Sequence, residues 1–430
     1  MAKGRILAGI DIGSSKVVTL IASQAENLGK INCVGVAAVE SRGLRKSQIV
    51  DIEEATDAIT ESVEAAERMA GYSISHAFVS IGGAHIQSQN SKGVVAVAQP
   101  ESEITATDVD RVIEAARAVS LPSAREILHV IPRDFVVDSQ AGIKDPIGMT
   151  GVRLETEAHL ITASSTAIKN LVRCVNDIGV AVAGVVFSGL AASESALSDT
   201  EKELGVVLLD IGGGSTSMSV FVDSALSYSA VIPIGAKNIT NDLAIGMRVS
   251  LETAEIVKLA LSTPKATAAL PDKTDSPKSD DDAFDLSQLN LKEEVSATSK
   301  KTLIEGIIRP RLNEIFTLAG LELKQSNLGG QTPAGVVLVG GGALTVGIET
   351  ACKRTLSLPT RIGHPQGLSG LVEEIGSPAF ASATGLILYA ASTAAPGSAT
   401  PLNKVSRLID KLPVRGAVNK AIDFIKSFLP

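Results

Sequence analysis

An α/β fold built from two related halves is predicted by three features of the sequence. Residues 7–16, LAGIDIGSSK, are echoed by residues 207–216, VLLDIGGGST. A third apolar run, 335–339, leads into the glycine-rich turn Gly340, Gly341, Gly342, Ala343. Stretches with helical spacing of apolar residues, 53–70 and 167–178, lie between these runs, the alternation expected of strands flanked by helices.

In each echo an apolar run ends in an Asp, an Ile and a small Gly/Ser turn. A second run follows: 17–21 in the first copy, and Met218, Val220 and Val222 in the second. Each copy reads as a β-hairpin. Between them, a helix-like 107–120 and strand-like 129–131 and 135–137 fit a small α+β unit. Residues 263–285, with Pro264, Pro271, Pro277 and three consecutive Asp at 280–282, read as a solvated loop. The stretch 301–318 is helix-like and basic at Arg309 and Arg311.

A linker of Pro, Gly, Ser and Ala, 391–403, then leads to 404–412 and 414–429, split by Pro413. At 100° per residue, Val414, Val418, Ala421, Ile422, Ile425, Phe428 and Leu429 cover an arc of roughly 120°, with Phe424 on its flank. Arg415, Lys420, Asp423 and Lys426 take the other side. Residues 404–430 hold six basic and two acidic side chains, while the whole chain of 430 residues carries a net charge of -8. A basic amphipathic end on an acidic body reads as an interfacial membrane anchor; the alternative is a helix packed on the protein's own core.

Composition narrows the class. With 45% apolar and 20% charged residues the chain can bury more than one core. The acidic balance disfavours a general nucleic-acid-binding surface. Cys33, Cys174 and Cys352 are far apart and form no CxxC pair, as expected of a reduced cytosolic protein. Asp11 comes too early for a signal-peptide core, and no apolar run nears the roughly 20 residues of a membrane span. The chain is expected to be soluble, or to lie on a membrane without crossing it.

The chemistry is placed in the turns. Gly and Ser let the backbone approach an anion, so that N–H groups and hydroxyls surround phosphate oxygens. Asp11 and Asp210, one from each half, could hold a hydrated Mg²⁺ between them, and Lys16 would supply a charge for phosphate. A single such turn could equally be a plain hairpin; two matching turns and a downstream Gly-rich turn favour a nucleotide. Neither a P-loop nor a G-x-G-x-x-G after the first strand is present.

These motifs resemble the phosphate-1 (11–16), phosphate-2 (210–216) and adenosine (340–343) motifs of the actin, Hsp70 and sugar-kinase superfamily. Within it, the chain resembles the FtsA family of bacterial cell-division proteins, at 41–43, 129–132, 142–153, 159–162, 187–190 and 361–363. The resemblance implies an actin-like duplicated fold, two lobes around a nucleotide cleft, with an extra small α+β subdomain and a C-terminal amphipathic helix. The implied parts are subdomain 1A at 1–83 and 162–196, the extra subdomain 1C at 84–161, 2A at 197–245 and 311–390, and 2B at 246–310, then the linker 391–403 and the membrane-targeting 404–430.

ATP with Mg²⁺ would lie between Gly13, Ser14, Ser15 and Lys16 on one side and Gly212, Gly213, Gly214, Ser215 and Thr216 on the other. Glu255, Lys258 and Ser262 resemble the adenosine-contacting helix of the chaperone branch, and share one helical face; an exposed surface pair is the alternative. Relatives of the chaperone type place a water-orienting carboxylate where Ser188 stands here, and Glu194 is near but not aligned, so at most a slow ATPase is implied. The family implies self-association into filaments through the extra domain, contacts with other division proteins, and tethering of the tubulin-like FtsZ, by its C-terminal peptide, to anionic lipid at the division septum. Val418, Ile422, Phe424, Ile425, Phe428 and Leu429, with Arg415, Lys420 and Lys426, would meet the inner face of the cell membrane. A PilM-like pilus-assembly adaptor and a sugar kinase are the competing readings. The first has no such terminal anchor; the second needs a catalytic Asp beside a sugar pocket.

Overall fold

The computed structural model describes residues 5–25, 30–98, 103–263, 283–284 and 298–393. Each half opens on the expected hairpin. In the first lobe Arg5–Ile12 pairs antiparallel with Lys16–Gln24, and in the second Val206–Ile211 pairs antiparallel with Thr216–Val222. Around the first hairpin a six-stranded sheet runs in the order Ala181–Phe187, His76–Ile81, Arg5–Ile12, Lys16–Gln24, Ile31–Glu40, Ser369–Gly370. Around the second, five strands run in the order Ala225–Ile232, Thr216–Val222, Val206–Ile211, Val336–Val339, Thr360–Ile362. The strands nearest each centre are almost wholly buried, which explains why they read as continuous apolar runs.

Helix Ile52–Ala70 makes the crossover to the parallel strand His76–Ile81. Asp51 caps it by accepting from the Glu54 N–H, and Gly71, in the left-handed region, ends it. Gly35 lets it sit on the sheet, since a Cβ there would lie 2.8 Å from that of Ala70. Two further helices, Ser188–Ala196 and Ala381–Thr393, cross between the lobes and are buried over most of their length.

The inserted unit is a four-stranded antiparallel sheet, in the order Gln87–Ala96, Arg153–Ser164, Arg125–Val137, Gln140–Ile143, covered by helix Ala106–Arg117. Where the sequence suggests two strands, at 129–131 and 135–137, there is one. Pro132 faces Ala158 and Asp134 faces Glu157, leaving Arg133 as an extra residue in a bulge that absorbs the proline. This sheet is not a detached module. Leu128, Ile161 and Ala163 enter the first lobe's core, and His129 Nε2 accepts from the Phe187 N–H at 3.0 Å. It also reaches the second lobe: Ser88 Oγ donates to the Ser229 carbonyl at 2.7 Å, and the buried His159 ring bridges Asn90 Oδ1 and Ser229 Oγ at 2.7 and 3.1 Å. Burial, with Arg133 and His129 close by, holds the His159 pKa down at about 3.

The helices Ala236–Met247, Leu251–Ser262 and Arg309–Gln325 complete the second lobe. The expected single helix at 301–318 begins instead as a π-helical stretch, Thr302–Ile308, and becomes α-helical at Arg309, where Pro310 occupies the first turn. The proposed loop 263–285 falls outside the described residues except at 263, 283 and 284. Residues 391–393 of the expected linker are instead the end of helix Ala381–Thr393, and 394–403 and all of 404–430 lie outside the described residues.

Arg361 on the edge strand Thr360–Ile362 ties the second lobe to the connecting helices. Its guanidinium holds Glu201 through two 2.7 Å bonds and donates to the Ala196 carbonyl at 2.9 Å. Hydrogen bonds from Arg361 and Ser198 outweigh desolvation and lower the Glu201 pKa from 4.5 to about 2. The folded pKa is below the unfolded one, so this stabilisation is complete above pH 4.5 and disappears as pH falls toward 2. Urea midpoints of the wild type and Glu201→Gln should therefore differ at pH 6 and converge near pH 2; a constant gap over that range would mean that the ion pair contributes nothing.

Candidate nucleotide site

The two hairpins end in the same turn. The Gly13 N–H donates to the Lys16 carbonyl at 3.1 Å, and the Gly212 N–H to the Ser215 carbonyl at 2.9 Å. An added Cβ at either glycine would stand 3.0 Å from that carbonyl, so the same close approach selects Gly twice. The turns face each other across the lobes. A Cβ on Gly213 would come within 2.9 Å of Ser15 Cβ, and one on Gly214 within 2.7 Å of Ser14 Oγ. The start of helix Ala236–Met247 supports the second turn, with the Ala236 and Lys237 N–H groups bonded to the Gly212 and Gly213 carbonyls. Lys237 Nζ then crosses to the Ser14 carbonyl at 2.8 Å. Thr216 is buried and bonded to the Ile234 carbonyl, so it supports the hairpin from behind.

Asp11 and Asp210 stand just before the turns, each held by a serine. Ser80 Oγ donates to Asp11 Oδ1 at 2.6 Å and accepts from the Ile12 N–H at 3.1 Å. Ser382 Oγ donates to Asp210 Oδ2 at 3.0 Å. Burial raises both carboxyl pKa values; Asp210, which also feels the charge of Asp11, is pushed up to about 7. Lys16 lies over the Phe380 ring, 3.8 Å from its centroid, and burial lowers its pKa against the pull of both carboxylates. Two half-buried carboxylates with raised pKa values favour a cation between them. Among the described residues, no group of three or more His, Cys, Asp or Glu could hold a metal ion; a pair of carboxylates by itself offers few protein ligands, which suits a cation that keeps its water.

The third motif stands beside Asp210. Gly340, at φ 83°, and Gly342 press on Asp210 and Ile211, where any side chain would overlap them. Ala343 is fully buried, and the Gly340 N–H donates to the Pro378 carbonyl at 2.9 Å. Gly341 differs: it is exposed, and a Cβ there would find its nearest neighbour, Ala379 Cβ, 4.0 Å away. Glu255, Lys258 and Ser262 share a face of helix Leu251–Ser262, as expected, but not as an exposed pair. Lys258 is 7% exposed and bonded to Glu255 at 2.6 Å and to Thr240 at 2.9 Å. Ser262 accepts from the Val346 N–H at 3.2 Å, joining this helix to the segment that follows Gly340–Ala343.

Ser188 faces Ser217, with the hydroxyls 3.0 Å apart, and Glu194 is turned to Lys202 at 3.2 Å. Sequence reasoning missed Ser80, Ser382, Phe380, Lys237 and Ser47. A polar residue in the apolar run 77–81 is a weak signal for the first; the others have no local mark. Val418, Ile422, Phe424, Ile425, Phe428, Leu429, Arg415, Lys420 and Lys426 lie outside the described residues. Among those that are described, no helix is long and apolar enough to cross a membrane.

Two lobes that each open on one hairpin, an acidic pair at their junction and a sheet inserted in the first lobe define an actin-like protein. The family descriptions that match are "SHS2 domain inserted in FTSA" over residues 83–162 and "Cell division protein FtsA" over 207–385. The cell division protein FtsA of Pseudomonas aeruginosa is 35% identical over 393 residues, covering 90% of this chain and 89% of that one. That of Borreliella burgdorferi is 40% identical over 384 residues, covering 89% and 90%. This chain belongs to the cell division protein FtsA family. A solved PilM-PilN type IV pilus biogenesis complex is similar in fold, with a TM-score of 0.62 and 16% identity over 90% of this chain and 98% of that one; the likeness is one of fold alone.

Proposed function

We propose that this chain binds ATP with Mg²⁺ between its lobes, assembles into filaments on the inner face of the cell membrane at the division site, and tethers FtsZ there while other division proteins join. The observation that carries the nucleotide reading is the meeting of two matching turns, each preceded by a carboxylate, from the two halves of the sequence. These residues fit the group. The backbone N–H groups and hydroxyls of 13–15 and 212–215 would take the phosphates, Lys16 their charge, and Asp11 and Asp210 the waters of the ion. Bound there, Mg²⁺ would supply charge neutralisation to the phosphate chain. Burial of Lys16, Asp11 and Asp210 strengthens each of these contacts by lowering the local dielectric.

Hydrolysis is at most slow on this reading, since Ser188 stands where a carboxylate would orient water and Glu194 is committed to Lys202. The FtsZ peptide is assigned to the region 246–310. Arg309 and Arg311 are paired there with Glu305 and with Asp242 and Glu314. Ile245, Leu251 and Leu259 nearby are exposed, which supports an apolar docking face. Membrane attachment rests on the basic amphipathic pattern of 404–430.

Sedimentation of the full chain with vesicles of phosphatidylglycerol and phosphatidylcholine tests the reading. Pelleting should increase with ATP and Mg²⁺, since a filament binds through many tails at once. Equal pelleting with neutral vesicles, or none with or without ATP, would refute the tether.

A further inference from the structure

The hairpin Leu44–Arg45 and Gln48–Ile49 turns through Lys46 and Ser47, with φ of 49° and 59°. Both central residues are thus in the left-handed region, where glycine or asparagine is usual and other L side chains are disfavoured. The serine side chain is in use. The Ser47 N–H donates to Ser14 Oγ at 2.5 Å, and Ser47 Oγ lies 3.2 Å from Ser14 Oγ and 2.9 Å from Ser215 Oγ. One hydroxyl therefore touches both phosphate turns, one in each lobe. The hairpin is also wedged in place. A Cβ on Gly214 would stand 2.9 Å from Lys46 Cα, and one on Gly83, at φ 104°, would stand 3.1 and 3.2 Å from the Lys46 and Ser47 carbonyls.

We propose that Ser47 reads the terminal phosphate of the bound nucleotide, and so sets the preference for nucleoside triphosphate over diphosphate; the assignment rests on the nucleotide reading above. The adenosine segment 340–343 packs on Asp210 and Ile211 and on the turn at Pro378. Ser47 is bonded to none of these and meets the turns at Ser14 and Ser215. A phosphate chain that enters from Gly341 and passes Asp210 reaches Ser47 last. A triphosphate exchanges the Ser47–Ser215 bond for one from the hydroxyl to a phosphate oxygen. A diphosphate ends short of it and leaves the serine pair bonded. Hydrogen bonds to a charged oxygen are about twice as strong as those between neutral groups, so the exchange favours the longer ligand. Because the hairpin also lies on Gly83, where the inserted sheet begins, the exchange takes place at the root of that sheet.

The test is the ratio of ATP to ADP affinity, with Mg²⁺, measured by calorimetry on the full chain. Ser47→Ala should lower ATP affinity about tenfold, the worth of one hydrogen bond to a charged group, and leave ADP affinity within about twofold. Ser47→Gly should give the same change in ratio yet melt at a higher temperature than Ser47→Ala, because glycine relaxes the turn. This separates ligand reading from stability. An unchanged ratio in both variants, or equal losses for the two nucleotides, would overturn the assignment while leaving the cleft intact. A wild type that bound neither nucleotide would instead overturn the nucleotide reading and this assignment with it.

Discussion

Gly341→Val is expected to abolish nucleotide binding in a protein that still folds. The neighbouring glycines are needed by the fold: a Cβ at Gly340 would strike Asp210 and Ile211, and one at Gly342 would strike Ile211. Gly341 has no positive φ and no atom within 4 Å of its Cβ position other than Ala379 Cβ at 4.0 Å. A Cβ there makes no close contact in the free protein, and a valine would stand in the space proposed for adenosine. It cannot swing aside, because Gly340 and Gly342 are pinned against the strand Val206–Ile211. ATP affinity should fall by more than about 100-fold, roughly 3 kcal/mol, with the thermal midpoint shifted by less than about 4 °C. Unchanged affinity in calorimetry on folded protein would refute the cleft assignment.

The second large effect is expected at the far end of the chain. Phe428→Glu places a charge in the middle of the apolar arc of 414–429, whereas Phe424→Glu places one on its flank. Full burial of such a side chain is worth about 1.5–3 kcal/mol. Interfacial insertion is shallow, and folding a short helix in water is itself unfavourable. Each basic residue near an anionic surface adds about 1 kcal/mol. One tail is therefore marginal, and the loss of one anchor should move most of the protein off the vesicles. We expect Phe428→Glu to remain in the supernatant at physiological salt and to bind ATP normally, and Phe424→Glu to be milder. Equal losses from the two changes would show that this helix does not lie in the interface with Phe428 at its centre.

What was legible in the sequence was local and repeated. The two hairpins could be read because Asp, Ile, Gly and Ser recur in one order, and the same backbone closure imposes the same residues twice. The turn 340–343 could be located because three glycines in a row follow an apolar run. Ser80 and Ser382 could not be found this way. Each donates to a carboxylate 69 or 172 residues away, and an isolated serine on a strand or helix looks like any other. Lys237 reaches Ser14 across 223 residues; only the meeting of the lobes makes it part of the site. The inserted sheet was half legible. Its helix shows in the apolar spacing, but Pro132 suggested a break where the strand keeps its course by expelling Arg133 in a bulge. The same continuity means that a deletion of residues 84–157 would also damage the first lobe, removing Leu128 from its core and His129 from the Phe187 backbone.

The crossing of Ser188–Ala196 and Ala381–Thr393 has a mechanical consequence. Gly385 lies directly on the Ala191 carbonyl, with no room for any side chain, and a Cβ on Gly9 would stand 2.9 Å from Leu386 Cβ. The seam also carries side-chain bonds, from Ser195 Oγ to the Ala381 carbonyl at 2.7 Å and from Ser382 Oγ to the Ser188 carbonyl at 3.4 Å, so sliding one helix over the other would break specific contacts. Hinge and shear motions are easiest where the packed bodies on either side stay intact. The two lobes are thus jaws joined at a closely registered seam. The inserted sheet is rooted in one jaw's core through Leu128, Ile161 and Ala163, and hydrogen-bonded to the other at Ser229. Any movement of one jaw against the other would load that sheet through its bonds to Ser229.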